Sequence, residues 1–261
     1  MSEKWKDDLI DPRPLRQEMY LAKLHGVYDG ELPAPVTKED KYLYELAVNG
    51  ASGGGGITAG IEYLERGDSG MPAKVKIYGN PVAPYVMHEE TALKEAVLAE
   101  GIEFIGEGAF ERCEALETVV FPSTLTEIDH VAFHNCVGLR NAVLPDGLEV
   151  VGVGAFENCA SFVLTSLPSN LKRIDSTAFR NCFLASFTTI PGSVKHIGSN
   201  AFGDCYGLTE ITFEGTPDSL SDTAFSGCMY LQTINVPWSK GEVEGAPWGA
   251  EKVTVNHDYV K

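Results

Sequence analysis

The chain lacks most of the features that announce a function. It has no run of eighteen apolar residues, so it contains no transmembrane helix. Its first residues, MSEKWKDDLIDPRP, are charged and carry no apolar h-region, which reads against export by the general secretory route. Cations are scarce: Lys and Arg number 20 against 37 Asp and Glu, for a formal charge of −17. Phosphate recognition needs the opposite surplus, so a general nucleic-acid binder is excluded, and docking on anionic lipid is disfavoured for the same reason. The deficit is spread along the chain, which describes a well-solvated surface better than an acidic tail. There is no C-x-x-C pair, no G-x-S-x-G elbow, and no Lys-Ser/Thr after the run Gly53–Gly56. The 27 glycines show no three-residue period, so the chain is not collagen-like. What remains is 261 residues, 44% hydrophobic and 22% charged, an ordinary globular balance.

What is present is a period. Cys113, Cys136, Cys159, Cys182, Cys205 and Cys228 are spaced by 23 residues throughout. Each is preceded by Ala-Phe-x-x, from Ala109-Phe110 to Ala224-Phe225. Eight residues before each cysteine stands Ile105, Ile128, Val151, Ile174, Ile197 or Leu220. Fifteen before it stands Leu98, Phe121, Leu144, Leu167, Ile190 or Phe213. Val236-Pro237, Val243 and Trp248 continue the register, with Glu251 in place of cysteine. A fixed period of this length marks a stacked repeat, in which one unit cannot bury its own apolar face. The expected fold is α+β: a solenoid of six full coils and a degenerate seventh, with a parallel sheet on one face and a small helical N-terminal module. The stretch L-x-x-ϕ-x-ϕ reads as a strand that Pro122, Pro145, Pro168 or Pro191 ends. Ala-Phe-x-x-Cys is long enough only for a bend or one helical turn. Asn135, Asn158, Asn181 and Asp204, each before a cysteine, are expected to bond backbone amides of that bend.

The spacing is structural, so the cysteines read as buried free thiols and not as metal ligands or bridges. His130 and His134 are four apart, but at a bend and without a completing ligand, so no zinc site is assigned. No cofactor and no catalytic residue is assigned either. Side-chain alternation along the strands puts Thr118, Val120, Asn141, Val143, Leu164, Ser166, Phe187, Thr189, Glu210, Thr212, Thr233 and Asn235 on an outward face, the candidate protein-binding surface. A one-residue slip near Phe183-Leu184 would instead turn Phe187 inward.

The segment ETVVFPSTLTEIDHVAFHNC, Glu117 to Cys136, and its copies resemble the BspA-like class of leucine-rich repeats over about residues 91–251. That resemblance implies adhesion or protein binding and brings no catalytic residues.

The N-terminal part carries a weaker repeat, Arg13–Leu24 against Pro35–Leu46. It reads as two short helices with apolar stripes at Tyr20, Leu21, Leu24 and at Tyr42, Leu43, Leu46, candidate docking positions. Residues 32–43, LPAPVTKEDKYL, resemble the short helical units of phage head-fibre and tail-fibre proteins. The expected organisation is a docking module at 1–50, a glycine-rich hinge at 51–60, a cap with a strand at 61–90, the solenoid at 91–251 and a cap strand at 252–261. The phage resemblance implies a virion component, assembled in the host cytoplasm. It would dock on a capsid or tail protein, display the solenoid to a host-surface protein or glycan, and form a homo-oligomer, a trimer being the form fibres often take. The alternative is a bacterial interaction scaffold or surface adhesin, cytoplasmic or at the cell surface. Neither reading involves an enzyme, nucleic acid or membrane insertion.

Overall fold

A computed structural model describes residues 60–66 and 71–260. The compact unit that holds nearly all of them, 61–261, is a β-solenoid of about eight coils. Two ladders run along it, and their strand pairings from residue 72 onward are parallel. The first face holds β1 (Gly60–Arg66), β2 (Pro72–Tyr78), β3 (Glu95–Leu98), β5 (Thr118–Val120) and β7 (Asn141–Ala142) in one sheet. Beyond a break it continues with β10 (Thr189–Ile190), β12 (Glu210–Phe213), β14 (Thr233–Asn235) and β15 (Thr254–Asn256). The second face is one unbroken sheet of β4 (Phe104–Ile105), β6 (Glu127–Ile128), β8 (Val150–Val151), β9 (Arg173–Ile174), β11 (His196–Ile197) and β13 (Ser219–Leu220).

The expected α+β class is overturned: no helix occurs among the described residues. Ala-Phe-x-x-Cys is not a helical turn. It is a chain of overlapping β-turns, with Ala109, Glu111 and Cys113 donating to the carbonyls of Gly106, Gly108 and Phe110. Two positions per bend have positive φ in the first six coils, Gly108 and Arg112 in one, Val131 and Asn135 in the next. A right-handed helix cannot continue through them. Between those bonds, the amides of Gly108, Phe110 and Arg112 donate to His130, Ala132 and His134 of the following coil. The bends are thus stitched together as firmly as the strands, and the solenoid has three hydrogen-bonded sides. The helical module expected at residues 1–50 lies outside the described residues.

The coil count also needs correction, as does the single sheet. Residues 72–94, with 72–90 expected as part of the cap at 61–90, form a first coil. Met87 takes the phenylalanine place, its amide donating to Ala109 as that of Phe110 does to Ala132. Ile77 pairs with Leu98, 21 residues on, whereas Val82 bridges Ile105, 23 residues on. This coil is therefore shorter in one bend, and the register breaks there.

The core is made of columns. Phe110, Phe133, Phe156, Phe179, Phe202 and Phe225 are all fully buried, with successive ring centroids 5.0–5.7 Å apart and nearly parallel. At the far end the buried Trp248 stands in the alanine place, its carbonyl accepting from Phe225 N as that of Ala224 does from Phe202 N, and Trp238 packs on it at 6.0 Å.

Candidate binding face

All six cysteines are free and buried. Each Sγ–H donates to the carbonyl of the residue 26 earlier, from Cys113 to Met87 (2.9 Å) through Cys228 to Phe202 (3.0 Å). Burial pushes the Cys113 and Cys228 thiols up to about 12 and holds the inner four well above the usual thiol range. They are packed thiols with no thiolate character at neutral pH. His130 lies against Asp129, and His134 Nδ1 is 3.1 Å from Glu111. Among the described residues no group of three or more His, Cys, Asp or Glu is placed to hold a metal.

The expected outward residues divide. Val120, Asn141, Val143, Ser166 and Glu210 are exposed on the first face, and Thr118, Thr189, Thr212 and Thr233 are half-buried there. Leu164 and Phe187 are not on that surface; both are buried in the core. Asn235 is also buried, donating to Glu210 (2.8 Å) and Thr212 (3.1 Å) and accepting from Asn256 (2.7 Å). For Leu164 and Phe187 the cause is a one-residue slip in two successive coils. In the third coil the residues buried after Cys113 are Leu116 and Val119, with the half-buried Phe121 edge-on to Phe133. After Cys159 they are Phe162, Leu164 and Leu167, and after Cys182 they are Ala185, Phe187 and Ile190. The middle residue has moved up by one, so Thr165 and Thr188 face out where Val119 faces in. The candidate docking residues Tyr20, Leu21, Leu24, Tyr42, Leu43 and Leu46 lie outside the described residues.

A second surface was not anticipated. After each cysteine the chain makes a β-turn: Ala185 donates to Cys182, Leu208 to Cys205 and Leu231 to Cys228. The two central residues of such a turn project outward. They are Val137 in one coil, Phe183 and Leu184 in another, Tyr206 in the next, then Met229 and Tyr230. Met229 is 67% exposed, Tyr230 58% and Leu184 50%. Phe183 stacks on Tyr206 at 5.0 Å, and Tyr206 meets Tyr230 edge-on at 6.5 Å. None of the stretches 160–163, 183–186, 206–209 and 229–232 contains a charged residue. In a chain of charge −17 this neutral, aromatic stripe stands apart. The signal for it was in plain view, since the residue after each of five cysteines is Val, Ala, Phe, Tyr or Met.

A model of the BspA-type leucine-rich repeat region matches this chain in six copies, over residues 82–206 and 184–244. The chain belongs to the BspA-type leucine-rich repeat family. Solved structures of similar proteins include a leucine-rich repeat protein of T. pallidum, 24% identical, with a TM-score of 0.45, covering 76% of this chain and 88% of that one. A leucine-rich cell surface protein of Faecalibacterium prausnitzii is 23% identical, with a TM-score of 0.46, over 71% of this chain and 56% of its own. One from Bacteroides ovatus is 22% identical, with a TM-score of 0.40, over 67% and 45%. No curated protein matches the chain in sequence. Within this BspA-type array the slip of the fifth and sixth coils is the main departure from the repeat, and it falls in the middle of the first face. No helix among the described residues is long and apolar enough to cross a membrane.

Proposed function

We propose that the protein is a bacterial binding protein, a surface adhesin or interaction scaffold, that engages a protein partner through the stripe from Val137 to Tyr230. The observation that carries this is the exposure of Leu184, Met229 and Tyr230 on a bend free of charge over four successive coils. Exposed apolar area of this continuity is seldom left unpartnered, and aromatic residues dominate the energetics of protein contacts. Membership of a repeat family typically used for non-enzymatic binding supports the same reading. A virion role finds no support in the comparisons with known proteins, and the helices on which it rested lie outside the described residues.

The test is a triple substitution, Leu184→Asp, Met229→Asp and Tyr230→Asp, in the full chain. All three side chains are exposed, so the melting temperature should stay within a few degrees of wild type. Binding to partners found by the wild-type chain on an array of purified extracellular proteins should fall by at least about a hundredfold, as loss of clustered hot-spot residues predicts. Undiminished binding by the variant would remove the stripe from the interface.

A further inference from the structure

The slip of the fifth and sixth coils leaves a cleft of about 320 Å³ on the first face, near the lower end of the size of small-ligand sites. Its walls carry the hydroxyls of Thr165, Ser166, Thr188 and Thr189, with Glu214 at one side and Phe187 among the lining residues. No Lys, Arg or His lines it. The backbone adds to this. In regular coils the amide that opens the strand donates to the preceding coil, as Thr118 does to Lys94 and Asn141 to Glu117. The amides of residues 163–167 donate to no backbone carbonyl among the described residues, where the one backbone bond on this face from the sixth coil to the fifth runs from Ser186 to Leu164 (2.9 Å). Open amides are costly where water is excluded and useful where a ligand is bound.

We propose that this cleft binds a neutral saccharide unit. Vicinal hydroxyls of a sugar each offer a donor and an acceptor. The wall answers with hydroxyls that do both and amides that donate. The absence of a cation on the wall disfavours an anionic ligand. The volume suits one sugar residue at the end or along the side of a longer glycan. This goes beyond the protein contact assigned to the stripe, which shares no residue with the cleft.

Saturation-transfer-difference NMR on the full chain tests it, with D-glucose, D-galactose, D-mannose and N-acetyl-D-glucosamine at millimolar concentration and the tripeptide Gly-Ser-Thr in parallel. At least one sugar should receive saturation. The double variant Thr165→Val, Thr188→Val should weaken that sugar's binding by roughly tenfold or more, as loss of two hydrogen bonds requires. Thr118→Val, on the same face but outside the cleft, should leave it unchanged, and so should the triple stripe variant. Circular dichroism should show all these variants folded. Transfer to none of the sugars overturns the proposal, as does transfer to the tripeptide alone or a sugar signal that survives the double variant.

Discussion

Asn158 is held at φ 63°, a left-handed conformation that Asn tolerates better than most residues. Its Nδ2 donates to Asn135 Oδ1 at 2.8 Å, and its Oδ1 accepts from Asn181 Nδ2 at 2.7 Å. The asparagine column was legible in the sequence, but its task was not. The bend amides it was expected to satisfy are already taken: Asn158 N donates to the carbonyl of Arg180 in the next coil. The side chains are therefore free to bond one another. Asn158→Ala removes both ladder bonds and keeps the strained φ, so it should cost about 2–3 kcal/mol in urea unfolding. Asn158→Gly loses the bonds but relieves the backbone, and should cost about 1 kcal/mol. Equal costs would mean that backbone strain plays no part. The thiols make a second residue-scale prediction. A raised folded pKa means the folded chain keeps protons that the unfolded chain gives up. The contribution is therefore complete below the unfolded value of about 8.5 and is lost as pH rises toward the folded value of about 12. Stability should be flat from pH 7 to 8, then fall by about 1.4 kcal/mol per pH unit for each thiol. Urea midpoints at pH 7, 8, 9 and 10 measure it, and a midpoint unchanged between pH 8 and 10 would contradict the buried column.

At the scale of the element, two columns set the pitch of the coil. The phenylalanine rings stack face to face, so each middle ring loses two partners if removed. Phe156, 5.1 Å from Phe133 and 5.5 Å from Phe179, should cost about 3–5 kcal/mol when changed to Ala, read as a lowered melting temperature. The other column alternates: Gly106, Asp129, Gly152, Asp175, Gly198 and Ser221 open successive bends. The glycines sit where one coil's backbone touches the previous one. A Cβ on Gly198 would lie 2.4 Å from Ser176 N and 2.7 Å from Asp175 C, so the two coils would have to separate. Gly198→Ala should therefore destabilise by about 1–3 kcal/mol, although it deepens no cavity and removes no contact. The second to seventh coils could be read from the sequence because their columns are filled by the same residue types. The first coil could not, because Met87 and Glu90 replace Phe and Cys and one bend is shorter. The second strand face was missed for a different reason: its strands are two residues long, too short to show alternation.

The whole molecule has one discontinuity and several continuities across it. On the first face β7 and β10 belong to separate sheets, with the fifth coil unpaired between them. On the second face β8 pairs with β9 and β9 with β11, so the ladder passes straight through. The phenylalanine and cysteine columns pass through as well. Coupling between neighbouring coils decides whether a solenoid melts as one body or in pieces. Here two of three hydrogen-bonded sides and the ring stack survive at the break, so the loss of one ladder should not uncouple the halves. Two measurements should then disagree in a defined way. Amide exchange should be fast at residues 163–167, which have no backbone acceptor among the described residues, and slow at Val119 and Ile211 in the paired strands. Global unfolding should still be a single transition. With Trp5→Phe removing the other indole, the fluorescence of Trp238 and Trp248 reports the C-terminal end, while far-ultraviolet circular dichroism reports every coil. The two urea curves should coincide. A fluorescence transition that precedes the other would mean that the break divides the solenoid, and that its second face and its core columns together are too weak to hold the coils in one cooperative unit.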